Sequence, residues 1–128
     1  MSTIRVTNVQ DTSGGNSSTT EQIKNGIAKA WVNFNGTGVV AIRASFNVSS
    51  ITDSGVGSYG VNFTNALSDA NYSAVATITP GSALNPLVPT LAGDGSSSYS
   101  TTALTIGTWN QNSTSLSDTS RVAVAVFR

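Results

Sequence analysis

The sequence predicts an all-β chain: an antiparallel β-sandwich, jelly-roll-like, with a short N-terminal arm and linker. Three observations predict it. From residue 27 onward apolar and polar residues alternate with period two, and strands place successive side chains on opposite faces. Glycine-rich turns, NGTG at 35–38 and DSGVG at 53–57, interrupt the alternation at short spacing. Between these turns the helical period of 3.6 is absent.

A chain of 128 residues is one domain by size. It buries roughly two-thirds of its unfolded surface, enough for one core without metals or disulfides. The division expected is an arm and flexible linker over 1–20 and a sandwich over 21–128.

Each element has its own signal. Residues 3–9 alternate through Ile4 and Val6 until Val9 breaks the phase, which suits a short strand or an arm laid on another surface. Residues 11–20, DTSGGNSSTT, lack apolar residues and read as a linker. Ser18 and Glu21 have the spacing of a capping box, so one helical turn through Ile23 competes with an extended linker.

From Ile27 the faces separate, with Ala28, Ala30, Val32 and Phe34 on one and Ile27, Lys29, Trp31 and Asn33 on the other. Residues 39–42 are solidly apolar, as in a strand buried on both faces or crossing between sheets. Ala44, Phe46 and Val48 resume the alternation; so do Tyr59, Val61 and Phe63 after the second turn, and Tyr72, Ala74, Ala76 and Ile78 after a loop. Residues 80–95 carry all three prolines and form the longest irregular stretch, of the kind that is functional or mobile. Weaker strands are expected over 99–106 and 108–113, around Gly107. The last strand has Val122, Val124 and Val126 on one face and Ala123, Ala125 and Phe127 on the other. With both faces apolar, it is expected to be central or buried between subunits.

Composition excludes several functions. The chain has no cysteine and no histidine, so disulfides, thiolate or imidazole metal sites and a histidine base are impossible. Charged residues make up 9% of the chain, against about a quarter in ordinary domains. Six basic residues balance six acidic ones, so no field draws nucleic acid or an anionic membrane. No apolar run approaches the ~20 residues that span a bilayer. Residues 1–5 lack the regions of a signal peptide, so the expectation is synthesis in a cytoplasm. Accordingly the sequons at Asn16, Asn35, Asn47, Asn62, Asn71 and Asn112 read as chance in a chain rich in Asn, Ser and Thr.

Other motifs dissolve on inspection. Residues 55–60, GVGSYG, fit G-x-G-x-x-G, but a strand period rather than a helix follows, so they are a turn. Each aspartate, including Asp53, Asp94 and Asp118, lies in a turn or loop, where a short carboxylate bonds the local backbone. Paired carboxylates for glycoside hydrolysis are therefore not expected, and no catalytic residue is assigned. Asp69 and Asn71 have calcium-loop spacing without further ligands. No metal or cofactor site is assigned.

Trp31, Phe34, Phe46, Tyr59, Phe63 and Tyr72 fall on strand periods and are expected in the core. Tyr99 and Trp109 differ, lying among Ser, Thr and Asn, where an aromatic face with nearby hydroxyl and amide groups stacks on a sugar ring. These two are the candidate ligand-binding residues.

KAWVNFNGTG (29–38) and VAIRASFNVSSITDSGVGSYGVNFTNALSDANY (40–72) together resemble a segment recurring in tail-fibre and related virion proteins of tailed bacteriophages, notably marine phages and cyanophages. The similarity runs from residue 29 to about 79, some two-fifths of the chain. Ala44 stands where that family commonly has a charge, and Gly60 interrupts the turn-to-strand junction. The resemblance implies a non-enzymatic virion structural protein, a sandwich packing as a homotrimer beside other virion proteins. Its expected role is a tail-fibre or spike component binding a host-surface polysaccharide. A capsid decoration protein on the phage head is the alternative.

Overall fold

The computed structural model describes residues 1–79, 87–91, 99–111 and 115–128. Most of the proline-rich stretch, with Asp94 and Asn112, lies outside them.

The first strands, β1 (Asn8–Gln10) and β2 (Ser17–Thr19), form a hairpin of their own. Of residues 11–20, expected as a linker, 11–19 are instead part of it and Thr20 opens the helix that follows. The Asp11 carboxylate closes the turn, with Oδ1 accepting from Ser13 Oγ at 2.8 Å and Gly15 N at 2.9 Å, and Oδ2 from Asn16 Nδ2 at 2.9 Å. Those donors hold its carboxyl below the usual carboxylate range. Helix α1 (Thr20–Gly26) follows, and its capping box is one residue later than expected. Thr19 Oγ1 accepts from Gln22 N at 3.1 Å, and Gln22 Oε1 accepts from Thr19 N at 2.9 Å. Every residue from 1 to 27 is exposed.

The sandwich begins with β3 (Ala28–Asn35), which turns through 36–40 into β4 (Ala41–Phe46). The chain passes to the other sheet at Asn47, whose φ of 53° is a left-handed corner, and continues as β5 (Val48–Gly55). Asn tolerates that conformation better than most residues. Here its side chain also ties the corner down, accepting from Asn65 N at 2.8 Å and donating to Lys29 O at 3.1 Å. The sheet crossing thus falls after β4 rather than within the apolar run 39–42, where Val39 is exposed.

The G-x-G-x-x-G match is a turn, as expected. Gly55 (φ 124°) and Gly57 (φ 65°) reverse the chain into β6 (Ser58–Phe63). A loop leads to β7 (Ser73–Ile78), and β8 (Leu87–Leu91) is a strand inside the stretch expected to be irregular. The chain closes with β9 (Ala103–Asn110), β10 (Ser115–Leu116) and β11 (Val122–Phe127). β9 runs through Gly107 without a break, joining the two weak strands expected there.

One sheet has the order β4-β3-β11-β7, every pair antiparallel. β11 is central in it, as its two apolar faces predicted. In the other, β5 pairs β6, and β6 and then β10 share one edge of β9 while β8 takes the opposite edge.

Between the sheets lie Ala30, Val32, Phe34, Val122, Val124 and Val126 from the first and Tyr59, Val61, Phe63, Leu104 and Ile106 from the second, all buried. Phe34 meets Tyr59 edge-on across the gap, with ring centroids 5.2 Å apart. The Tyr59 hydroxyl donates to Gly36 O at 2.6 Å and contacts Asp118 Oδ1 at 3.0 Å, locking the β3–β4 turn to the segment before β11.

Candidate binding face

β3 and β11 send their valines and Phe34 inward, so their remaining residues face outward by the same period. Register aligns these outer residues in rows across all four strands. Trp31 lies opposite both Phe46 and Ala125, and Ala125 lies opposite Val75, giving the row Phe46, Trp31, Ala125, Val75. The next row is Ala44, Asn33, Ala123, Thr77. Trp31 is 40% exposed, Phe46 54% and Val75 55%.

Trp31 and Phe46 were expected in the core. Their strand period is real, but its phase is opposite to that of Ala30, Val32 and Phe34, so they stand on the outer face. The small side chains of Ala123 and Ala125 sink the middle of this face. A trough of about 320 Å³ runs over β11, walled by Trp31 on β3 and by Val75 and Thr77 on β7. Neither row contains an ionisable residue. Of the neighbouring cations, Arg43 donates to Phe34 O at 3.0 Å, and Lys29 Nζ donates to Ile27 O at 2.9 Å. Chemically the trough suits an apolar, extended ligand with few polar groups to satisfy.

A second cavity, of about 460 Å³, opens at one end of the sandwich beside Lys24, Lys29, Asn47, Ser68 and Arg128. Two of its cations are committed. Lys29 caps carbonyls at the end of α1, including Lys24 O. Arg128 forms a two-pronged ion pair with Asp69, its Nε 3.0 Å from Oδ1. The guanidinium, with Asn71 N donating at 2.7 Å, holds the Asp69 carboxyl below its usual range. Asp69 and Asn71 therefore form an Asx turn rather than part of a calcium loop.

Of the remaining described aspartates Asp53 bonds its local backbone as expected, whereas Asp118 bonds the distant β5–β6 turn. Asp53 Oδ1 accepts from Gly55 N at 3.1 Å, and Asp118 Oδ1 from Gly57 N at 2.7 Å. Among the described residues no three Asp or Glu cluster as a metal site would require.

The two sequence-predicted ligand residues do not converge. Tyr99 bridges to Leu104 and tilts against buried Tyr72 with centroids 5.0 Å apart, packing on the core. Trp109 lies five residues farther along β9, roughly 17 Å at strand rise, in the phase opposite to buried Leu104, Ile106 and Thr108. It is partly exposed between β8 and β10, on the outer side of its sheet. Among the described residues the two aromatics do not form a joint sugar platform. Sequence reasoning placed Trp31 and Phe46 in the core and did not single out Val75; alternation set Trp31 opposite Phe34 without saying which of the two faces is covered.

No family model matches this chain, and no curated protein or solved structure matches it either.

Proposed function

We propose that the chain is a non-enzymatic structural subunit of a tailed-bacteriophage virion, a tail-fibre or spike component that binds the host surface, with a polysaccharide as target. The observation that carries the assembly part of this reading is the uncharged apolar row Phe46, Trp31, Ala125, Val75 on the outside of a sandwich. An exposed apolar strip of this kind, free of charge, often marks an interaction site. The resemblance of residues 29–79 to virion proteins supplies the biological context, and the balanced, sparse charge suits a subunit held among others. Trp109, aromatic and partly exposed, is the candidate to stack on a sugar.

A second reading, a decoration protein clamped on the phage head, is favoured by the N-terminal 27 residues, none of which is buried within the chain. Gold-labelled antibody on purified virions separates the two. The expected result is label on the tail; label on the head establishes decoration, and none on the particle removes both. For host binding, Trp109→Ala should weaken adsorption about tenfold, the effect of losing a stacking contact worth ~1.4 kcal/mol. Unchanged adsorption removes Trp109 from the binding site.

A further inference from the structure

Two uncovered apolar features of this chain match each other. One is the trough over β11. Its floor residues, Ala123 and Ala125, are two apart on a strand and therefore about 6.8 Å apart. Its walls, on β3 and β7, are two strand spacings apart, roughly 9.6 Å, which admits one extended chain. The other is the N-terminal arm, where Ile4 and Val6 are exposed at 88% and 51%. In an extended arm these two project on the same side with the same ~6.8 Å repeat, while Thr3, Arg5 and Thr7 project on the other.

We propose that the N-terminal arm of a second copy of this chain lies in the trough, with Ile4 and Val6 on Ala125 and Ala123 between Trp31 and Val75. This rests on the reading of the chain as an assembling subunit. Charge permits it, because Arg5 is the only ionisable side chain in residues 1–10 and the two rows of the face have none. Copies therefore meet without like-charge repulsion.

Area favours exchange over a face-to-face dimer. The exposed parts of Trp31, Phe46 and Val75 amount to on the order of 300 Å². A stable interface needs about 800 Å² from each partner. The face alone falls short. In exchange each subunit is once donor and once acceptor, and the exposed hairpin and helix behind the arm add contact. The same contact explains how a seven-residue helix and a three-residue hairpin with no buried side chain stay folded, since each is marginal alone. Reciprocal exchange between two copies gives a dimer, and head-to-tail exchange gives a ring such as the homotrimer where the rotation between copies closes.

The chain has no cysteine, so engineered thiols report without background. Ile4→Cys and Ala125→Cys are introduced into separate full-length chains, which are mixed and oxidised. The expected result is a covalent species of twice the 13.1 kDa chain mass joining the two variants, and none when Ile4→Cys is paired with Val56→Cys in the exposed β5–β6 turn. With Ile4→Cys and Ala125→Cys combined in one chain, a disulfide confined to that chain places the arm on its own sheet and overturns the exchange. So does the absence of any pairing above the Val56 control in variants whose melting matches the parent. Gold labelling of virions is read independently: a cross-link without label leaves the exchange standing and removes the virion role, and label without a cross-link does the reverse.

Discussion

Tyr59 shows how one side chain joins three segments. Its ring packs on Phe34, and its hydroxyl reaches Gly36 O and Asp118 Oδ1. Gly36 has no room for anything larger, because a Cβ there would lie 2.6 Å from the Tyr59 hydroxyl and 2.9 Å from Thr119 O. Gly36→Ala should cost about 1–3 kcal/mol by overpacking, seen as a lower urea midpoint at unchanged slope. Tyr59→Phe, which leaves the ring and removes the hydrogen bonds, should cost about 1–2 kcal/mol in the same assay. Alkaline pH tests the buried phenols. Burial, and next the nearby Tyr99, raise Tyr72 from 10.0 to about 12, and burial with Asp118 pushes Tyr59 up further. The folded state therefore holds phenolic protons that the unfolded chain releases, so this stabilisation is complete below pH 10 and is lost as pH rises through 12. Melting temperature should fall steadily above about pH 10. A flat profile from pH 9 to 12 contradicts the burial of these tyrosines.

At the scale of elements, the Asn47 corner carries the chain from one sheet to the other. Asn47→Ala removes four side-chain hydrogen bonds and puts alanine at φ 53°, which should cost about 2–4 kcal/mol. Asn47→Gly relieves the backbone but not the bonds, so its urea midpoint should fall between those of the parent and of the alanine variant. The helix predicts differently. Thr19→Ala removes one half of a capping box worth about 1 kcal/mol, yet α1 buries nothing in its own chain. Amide exchange over 20–26 should speed up in a monomeric preparation while the melting temperature of the sandwich holds.

These elements also mark what was legible in the sequence. Period-two alternation revealed β3, β6, β7 and β11, and the glycines at 55 and 57 revealed the hairpin, because strand pleat and positive φ leave local signatures. Alternation says that two faces exist but not which is covered, so Trp31 and Phe46 were read as core although they are exposed. The order of strands in each sheet, and hence the row from Phe46 to Val75, depends on pairings between residues far apart in sequence. The hairpin β1–β2 was hidden because it is held by the Asp11 side chain rather than by an apolar pattern.

For the whole molecule, the sandwich supplies a self-sufficient core, and two features remain outside its logic: the uncovered face of one sheet and an N-terminal unit with nothing buried. A neutral, sparsely charged surface does nothing to keep copies apart. The proposed association would account for both features, and the proposed virion role requires it. The most direct measurement is the mass of the full chain in solution at micromolar concentration, by light scattering or sedimentation. The account predicts a discrete multiple of 13.1 kDa, with the trimer as the expected species. A single monomeric species of 13.1 kDa would contradict it.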